Sequence, residues 1–211
     1  MNRGRPSSTK PATKPATKPA REPAREPAPA PARRHRGFAP VIGPGVRILV
    51  LGSLPGARSL EAGAYYAHPQ NRFWPVVEQV FGIPAAAPTA TRYPALVAAG
   101  VALWDGLEAA AREGSLDTAI EAASEVPNPV GPLLQAHPGI ETVALNGRKA
   151  EAIWVRWLAP TLSAGTRARL RIHLLPSTSP ANARYRLDDL VEAWGPVLRG
   201  ESGIFGDRRD V

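Results

Sequence analysis

Four short apolar runs, separated by stretches with helical periodicity, are the feature that most constrains the fold of this chain. The clearest run covers residues 46–51 and is continuous and aliphatic, which is typical of a strand buried on both faces. Similar runs follow at 101–104, 142–145 and 171–175. Strands that alternate with helices predict a parallel sheet between helical layers. We therefore expect an α/β domain with three layers, α/β/α, around a central, mostly parallel four-stranded sheet.

The predicted helices lie between these runs and after the last one. In residues 73–81 the apolar side chains recur at helical spacing, and Gly82 with Pro84 is expected to end that helix. The other predicted helices cover residues 92–99, 107–112, 130–136, 148–158 and 187–198.

Polar or turn-forming residues follow each predicted strand at its carboxyl end. They are Gly52-Ser53, Asp105, Asn146-Gly147 and the stretch 177–182. Parallel strands end at the same edge of a sheet, and ligands of open α/β sheets bind at that edge. These four corners are therefore expected to converge on one site.

The loop after the first strand brings aromatic, amide and imidazole side chains together. Tyr65, Tyr66, His68 and Asn71 lie just before Phe73, a combination that suits a pocket for a flat polar ligand. The alternatives are structural. The tyrosines would then fill the core, His68 would pack, and Asn71 would cap the following helix.

Side chains at the other corners suit recognition of a nucleobase. The amide of Asn146 offers a donor and an acceptor to the edge of a base, and the aromatic rings of the loop offer stacking faces. The hydroxyls and backbone N–H groups of residues 177–179 could clamp phosphates. Together these groups fit a base extruded from DNA. The alternatives are turn chemistry at Asn146-Gly147 and helix capping by the serine-rich loop.

Several other chemistries lack their motifs. The sequence has no glycine-rich dinucleotide fingerprint, no Walker lysine and no Gly-x-Ser-x-Gly elbow. It has no cysteine, which excludes disulfides and cysteine-bound zinc or iron–sulfur clusters. The histidines lack metal-ligand spacing, so we predict no metal and no cofactor. Lys149 is the only lysine beyond residue 37, which argues against Schiff-base chemistry.

Charge is concentrated in the amino-terminal segment. Residues 1–37 contain ten basic and two acidic residues, a formal charge of +8 that equals that of the whole chain. Frequent proline and few large apolar residues predict a disordered, basic Pro/Ala/Lys-rich tail. Such a tail is either attracted to phosphate backbones or serves as a solubilising linker. The globular domain is expected over residues 38–200, followed by a flexible tail at 201–211.

The sequence shows no membrane signal. No apolar run approaches the roughly 20 residues that span a bilayer, and the amino terminus lacks the apolar core of a signal peptide. We expect no membrane association and a cytoplasmic, nucleoid-associated location.

Long motifs in a fixed order carry a family resemblance. They are Gly52-Ser-Leu-Pro-Gly56, Ser59-Leu60, Tyr65-Tyr-Ala-His-Pro-Gln-Asn-Arg-Phe-Trp74, Leu103-Trp-Asp105, Arg112-Glu-Gly-Ser-Leu-Asp117, Leu145-Asn-Gly147 and Leu175-Pro-Ser-Thr-Ser-Pro-Ala-Asn182. This set resembles the deoxyinosine (hypoxanthine) DNA glycosylase branch of the uracil-DNA glycosylase superfamily. The resemblance covers residues 38–198 and leaves the basic tail outside.

The resemblance implies hydrolysis of the N-glycosidic bond of a deaminated base in DNA, leaving an abasic site. Hypoxanthine is the expected base, with uracil a second possibility. The catalytic asparagine of this branch falls on Asn71. We add the hypothesis that His68, three residues earlier, assists electrostatically, with packing as its alternative role. Ser53 stands where other branches carry an Asp or Asn that orients water, which is a departure from their pattern.

The same resemblance implies roles in binding. Base recognition falls on Asn146, and stacking falls on Tyr65, Tyr66 or Phe73. The DNA-binding loop is expected at Ser177, Thr178, Ser179 and Asn182. The histidine that precedes this loop in the best-known uracil-specific enzymes is absent, with Pro176 and Ser177 in its region, and this argues against strong uracil activity.

Two other functions stay open at this point. A non-catalytic lesion-sensing DNA-binding module would use the same pocket without releasing a base, and a nucleoside hydrolase would cleave free deoxyinosine. The favoured expectation is a monofunctional glycosylase in base excision repair. It would act as a monomer on double- or single-stranded DNA with a flipped-out base.

Overall fold

The computed structural model describes Met1 and residues 33–201. Most of the predicted basic tail and the predicted carboxyl-terminal tail therefore lie outside the described residues. Residues 34–36, which the sequence placed in the tail, form strand β1 (Arg34–Arg36). Among the described residues, strand pairing thus begins at Arg34, four residues before the expected start of the domain at residue 38.

The central sheet has four parallel strands in the order β3-β2-β6-β7. Their bounds are β2 Ile48–Gly52, β3 Val101–Asp105, β6 Thr142–Asn146 and β7 Arg171–Leu175. All five residues of β2, β3 and β6 are buried, as expected for strands covered on both faces. The prediction of a parallel four-stranded sheet is confirmed.

The register aligns the carboxyl ends of the strands. Gly52 pairs with Asp105, and Asn146 pairs with Leu175. The polar corners that follow these strands consequently begin at the same level along one edge of the sheet, as the sequence predicted.

Alternating side chains of the strands pack against two helical layers. Leu49 and Leu51 point into a cluster with helices α4 (Val130–Ala136) and α5 (Arg148–Ile153). Ile48 and Val50 point to the other face, where three longer helices pack: α2 Phe73–Phe81, α3 Thr89–Ala98 and α7 Leu187–Leu198. The three-layer α/β/α architecture is confirmed.

One predicted helix is wrong. Residues 107–112 were expected to be helical because Glu108-Ala-Ala-Ala111 favours helix, but Leu107–Ala111 forms strand β4. This strand pairs antiparallel with β1 on one side and with β5 (Val126–Pro127) on the other. Pairing with β1 and β5 decides the conformation here, and the local helix propensity of the segment does not reflect that pairing.

The remaining helices follow the sequence with small changes. The helices over 130–136 and 187–198 are confirmed, and Gly82, with φ of +70°, ends α2 as expected. The helix predicted over 148–158 is α5 followed by a π-helical turn at Trp154–Leu158. Two short helices complete the set, α1 Ala57–Ala62 and α6 Ala164–Arg169. Among the described residues, no helix has both the length and the apolar character needed to cross a membrane.

Candidate active site

The ends of β2 and β3 meet without room for a side chain between them. A Cβ added to Gly52 would lie 2.4 Å from Oδ1 of Asp105, so only glycine allows this approach. The next residue, Ser53, is 7 % exposed and its hydroxyl donates to Oδ1 of Asp117 at 2.6 Å. Ser53 is thereby tied to a carboxyl from a distant part of the chain.

Asp105 is the most unusual group at this edge. It is 4 % exposed, and its Oδ2 is buried without a hydrogen-bond partner among the described residues. Burial, reinforced by the nearby charge of Asp117, raises the pKa of Asp105 to about 8, while Arg112 opposes the rise. Asp105 is therefore largely neutral at pH 7. The sequence marked it as a strand corner but gave it no role.

The guanidinium of Arg112 is buried and lies close enough to Asp105 and Asp117 to lower the pKa of both carboxyls. Arg112 is 1 % exposed and donates through Nη2 to the carbonyl of Pro55, but its Nε and Nη1 have no partner among the described residues. Burial also raises the pKa of Asp117, whereas the hydrogen bond from Ser53 and the charge of Arg112 lower it. The environments of the two carboxyls therefore differ, because Asp117 has a hydrogen-bond donor and Asp105 has none on Oδ2.

The two adjacent tyrosines separate into different roles. Tyr65 is 3 % exposed and lies edge-on to Phe38, with 5.3 Å between ring centroids. Its hydroxyl donates to the carbonyl of Ala39 at 3.3 Å. Tyr65 is thus a core residue, the alternative that the sequence left open for the pair.

Tyr66, in contrast, lies at the sheet edge. It adopts a φ of +56°, which is uncommon for a bulky residue, and its ring stacks on Phe73 at 4.2 Å. Phe73 itself is fully buried, so Tyr66 is the outer ring of the stack. Burial and the charge of Asp105 raise the pKa of the Tyr66 hydroxyl, and the neighbouring Asn146 amide lowers it. The hydroxyl has no partner of good geometry among the described residues.

Asn146 is held by the loop that follows β7. Its Oδ1 accepts from the backbone N–H of Thr178 at 2.9 Å, and its Nδ2 donates to the Thr178 hydroxyl at 3.0 Å. The next residue, Gly147, has φ of +90° and lies so close to Ser177 that a Cβ would come within 2.7 Å of its side chain. The second N–H of the Asn146 amide is not used by Thr178, and the Tyr66 hydroxyl lies beside this amide.

Asn71 and His68 form a tight local turn before α2. The N–H of Phe73 donates to Oδ1 of Asn71 at 2.9 Å, and the N–H of Asn71 donates to the His68 carbonyl at 2.8 Å. Nδ1 of His68 accepts from the Gln70 N–H at 3.1 Å. Asn71 precedes Arg72, the N-cap residue of α2, and its Oδ1 accepts from the first N–H of the helix, so the alternative of helix capping is met from a neighbouring position. Its Nδ2 and one lone pair of Oδ1 are not used in these contacts.

The structure links the two amides through the aromatic stack. The N–H of Phe73 is bonded to Asn71, the ring of Phe73 supports Tyr66, and the Tyr66 hydroxyl lies beside Asn146. A second link runs through the backbone, since the N–H of Arg72 donates to the Thr178 carbonyl at 3.0 Å. The parallel sheet predicted from the sequence brings Asn146 and residues 177–182 to one edge, and the contacts above add Asn71 to them.

Arg72 fixes the predicted DNA-binding loop, and sequence reasoning missed it. Its guanidinium donates to the carbonyls of Ser179 and Asn182, each at 2.8 Å, and to that of Tyr185. Within the loop, Nδ2 of Asn182 donates to the Ser177 carbonyl at 2.9 Å. The position of Arg72 directly after Asn71, in the motif at residues 65–74, was the signal that could have identified it.

The described residues offer no group of three or more His, Cys, Asp or Glu side chains that could hold a metal ion.

Comparison with known proteins identifies the family. A family model described as the uracil DNA glycosylase superfamily matches residues 39–196. The chain belongs to the uracil DNA glycosylase superfamily. The match spans all four strands of the central sheet and every predicted site residue, and it confirms the resemblance predicted from the motifs.

Two similar proteins bear the name hypoxanthine DNA glycosylase. The chain is 36 % identical over 118 residues to a hypoxanthine DNA glycosylase of Methanosarcina barkeri, covering 56 % of this chain and 73 % of the relative. It is 32 % identical over 165 residues to a hypoxanthine DNA glycosylase of Methanosarcina acetivorans, covering 78 % of this chain and 98 % of the relative.

A solved structure agrees with the fold. The solution NMR structure of a candidate uracil DNA glycosylase from Methanosarcina acetivorans superposes with a TM-score of 0.67 at 30 % identity. The superposition covers 81 % of this chain and all of the other.

Proposed function

We propose that this protein is a monofunctional DNA glycosylase that releases a deaminated base, hypoxanthine first and uracil second, and leaves an abasic site. The observation that carries the proposal is the arrangement of side chains at the carboxyl edge of the sheet, in a chain that belongs to the uracil DNA glycosylase superfamily. Tyr66 stacks on Phe73, the Asn71 amide accepts from the backbone N–H of Phe73, and the Asn146 amide lies beside the Tyr66 hydroxyl. A stacking ring with amides at its rim suits a base taken out of the duplex.

Hydrolysis of the glycosidic bond requires charge stabilisation at two places. The base leaves with negative charge, and the sugar develops positive charge as water attacks C1′. Asn71 holds the attacking water through its free amide positions, and the remaining N–H of Asn146 with nearby backbone donors stabilises the departing base. An amide is a poor base, so Asn71 acts by positioning and does not deprotonate the water.

The state of Lys149 supports a monofunctional reaction. A bifunctional lyase needs a free amine to form a Schiff base with the sugar. The Lys149 ammonium donates to Oε1 of Glu125 at 2.6 Å and is only 24 % exposed. Water is consequently the nucleophile in the proposed reaction.

The loop containing Ser177, Thr178, Ser179 and Asn182 is proposed to contact the DNA backbone. Thr178 is fully buried and acts through its bonds to Asn146, whereas Asn182 is partly exposed. Because Arg72 binds three carbonyls of this segment, the loop is pre-ordered for binding.

A strand-cleavage assay tests the function. Duplexes and single strands that carry one hypoxanthine, uracil, xanthine or mismatched T are incubated with the protein, and abasic sites are cleaved with alkali. Cleavage at hypoxanthine supports the glycosylase. Tight lesion binding without cleavage would instead establish the lesion-sensing module, and release of base from free deoxyinosine alone would establish a nucleoside hydrolase.

Replacing Arg72 with alanine is expected to weaken binding to abasic DNA by tenfold to hundredfold, or about 1.4–2.8 kcal/mol. Three carbonyls lose their common donor, so the loop must be ordered at the time of binding. Fluorescence anisotropy with an abasic duplex measures the affinity. Arg171→Ala removes an equal charge at the other end of the sheet and serves as the control. Equal affinities of the two variants would contradict the role of Arg72.

The basic tail, most of which lies outside the described residues, is proposed to attract DNA in the nucleoid. The protein is proposed to act as a monomer. Deleting residues 1–32 removes seven basic and two acidic residues. We expect a smaller dependence of log K on log salt, because fewer counterions are released. Binding isotherms from 50 to 300 mM salt measure this slope, and an unchanged slope would assign the tail a linker role.

A further inference from the structure

One buried group at the sheet edge has no use in the reaction described above. Oδ2 of Asp105 has no hydrogen-bond partner among the described residues, although the side chain is 4 % exposed. Buried polar atoms are nearly always paired, so an unpaired one calls for an explanation, and a catalytic role is one of those known. The other oxygen, Oδ1, is packed against Gly52. Oδ2 is thus a buried carboxyl oxygen whose hydrogen-bonding capacity is unused among the described residues.

The charged and titratable groups around Asp105 come from three parts of the fold. Tyr65 and Tyr66 face it from the loop after α1, Arg112 faces it from the end of β4, and Asp117 lies beyond Arg112 in sequence. None of these groups donates a hydrogen bond to Oδ2. Burial and Asp117 keep the proton on Asp105 near neutral pH. A neutral carboxyl is a hydrogen-bond donor, whereas an ionised one only accepts.

Asp105 also lies close to the Tyr66 hydroxyl, because a Cβ built on Gly52 would be 2.4 Å from Oδ1 of Asp105 and 3.4 Å from that hydroxyl. Its charge acts on the Tyr66 hydroxyl, and the same hydroxyl lies beside Asn146. The hydroxyl is itself buried without a partner. Two unpaired polar groups, on Tyr66 and Asp105, thus occur together beside Gly52, next to the hydroxyl end of the ring that is proposed to stack on the base.

We propose that Asp105 distinguishes a deaminated base from the normal one by donating a hydrogen bond from Oδ2–H to its keto oxygen. This inference rests on the proposed function. Deamination replaces an exocyclic amine, which donates, by a keto oxygen, which accepts. A donor at this position therefore pairs with hypoxanthine or uracil and opposes the amine of adenine or cytosine.

The same hydrogen bond assists departure of the base. Negative charge on the leaving base is shared with its keto oxygen, so a donor held there stabilises the transition state. The proton stays on Asp105 throughout, and the base takes its own proton from water. Ionised Asp105 would repel the keto oxygen and would instead accept from an amine.

The pH profile of excision tests the proposal. Single-turnover rates on a hypoxanthine duplex are measured from pH 5.5 to 9.5 for the wild type, Asp105→Asn, Asp105→Ala and the exposed charge-matched control Asp188→Asn. The wild-type rate is expected to fall by up to tenfold per pH unit above about 8. Asn retains an N–H donor but does not titrate in this range, so Asp105→Asn should lose the part of the fall that belongs to Asp105.

The variants also separate the titration of Asp105 from other causes of a pH-dependent excision rate. The N–H of hypoxanthine titrates in the same range, and Asp105→Asn provides the reference for that contribution. Asp105→Ala is expected to be roughly a hundredfold slower than wild type at pH 7, because a transition-state donor is lost. An alkaline fall in Asp105→Asn that equals the wild-type fall, or a full rate in Asp105→Ala, would overturn the proposal.

A binding measurement separates this inference from the proposed function. Affinities for duplexes that differ only in hypoxanthine or adenine are compared at pH 6 and pH 9.5. Wild-type preference for hypoxanthine should shrink at pH 9.5 and persist in Asp105→Asn. This result would support Asp105 as the discriminating group even if no abasic product formed, whereas a pH-independent wild-type preference would overturn its role.

Discussion

Replacing Asn71 with alanine is expected to lower the rate of base excision by about two to four orders of magnitude. The variant loses the amide that holds the attacking water, while the Tyr66–Phe73 stack and the Arg72-bound loop are retained. Affinity for an abasic duplex should therefore change by no more than about threefold, or 0.7 kcal/mol. Single-turnover excision and anisotropy binding measure the two quantities.

Asn71→Asp is the matched variant, because the Phe73 N–H bonds to Oδ1 at 2.9 Å and a carboxylate keeps that acceptor. Alanine loses this local bond, at a cost of about 1 kcal/mol in stability. The free energy of unfolding should therefore fall in Asn71→Ala but not through loss of this bond in Asn71→Asp. A full excision rate in Asn71→Ala would remove Asn71 from the mechanism.

Replacing Asp105 with asparagine is expected to stabilise the protein, increasingly so as the pH rises from about 4 to about 8. The pKa of Asp105 is raised from 3.8 to about 8 in the folded protein. Between these values the unfolded chain releases the proton and the folded protein keeps it, so the stability of the wild type falls as pH rises. Asparagine carries no such proton, and the difference should grow by about 1.4 kcal/mol per pH unit.

The full difference at pH 8 is on the order of 5 kcal/mol. Urea unfolding followed by tryptophan fluorescence, at intervals of one pH unit, measures it. Asp188→Asn, an exposed substitution of the same kind, should show a nearly constant offset across this range. A constant offset for Asp105→Asn would mean that Asp105 is ionised in the folded protein. If Asp105→Asn is more stable than the wild type but excises the base more slowly, the Asp105 carboxyl lowers the stability of the protein while it supports activity.

The family and the fold could be predicted from the sequence because their signals are local. Continuous aliphatic runs gave the four strands, and helical spacing gave α2, α4 and α7. The ordered motifs gave the superfamily, which the match over residues 39–196 confirms. A parallel direction of these strands then implied that Ser53, Asn146 and Ser177 lie at one edge of the sheet.

Local signals failed where long-range pairing or packing decides the outcome. The Ala-rich segment at Leu107–Ala111 is a strand because β1 and β5 pair with it. Tyr65 and Tyr66 are adjacent and chemically alike, yet a positive φ at Tyr66 turns its ring onto Phe73 while Tyr65 enters the core. No periodicity distinguishes them.

The sequence by itself determined the layers, the family and the edge at which the polar residues gather, since each follows from patterns within a few residues. Only the tertiary structure decided the roles of Arg72 and Asp105. Three carbonyls converge on Arg72 from residues more than one hundred positions away. Asp105 is neutral because the folded chain removes water from around it and supplies no partner for Oδ2. Both properties depend on distances between remote residues, and folding alone sets those distances.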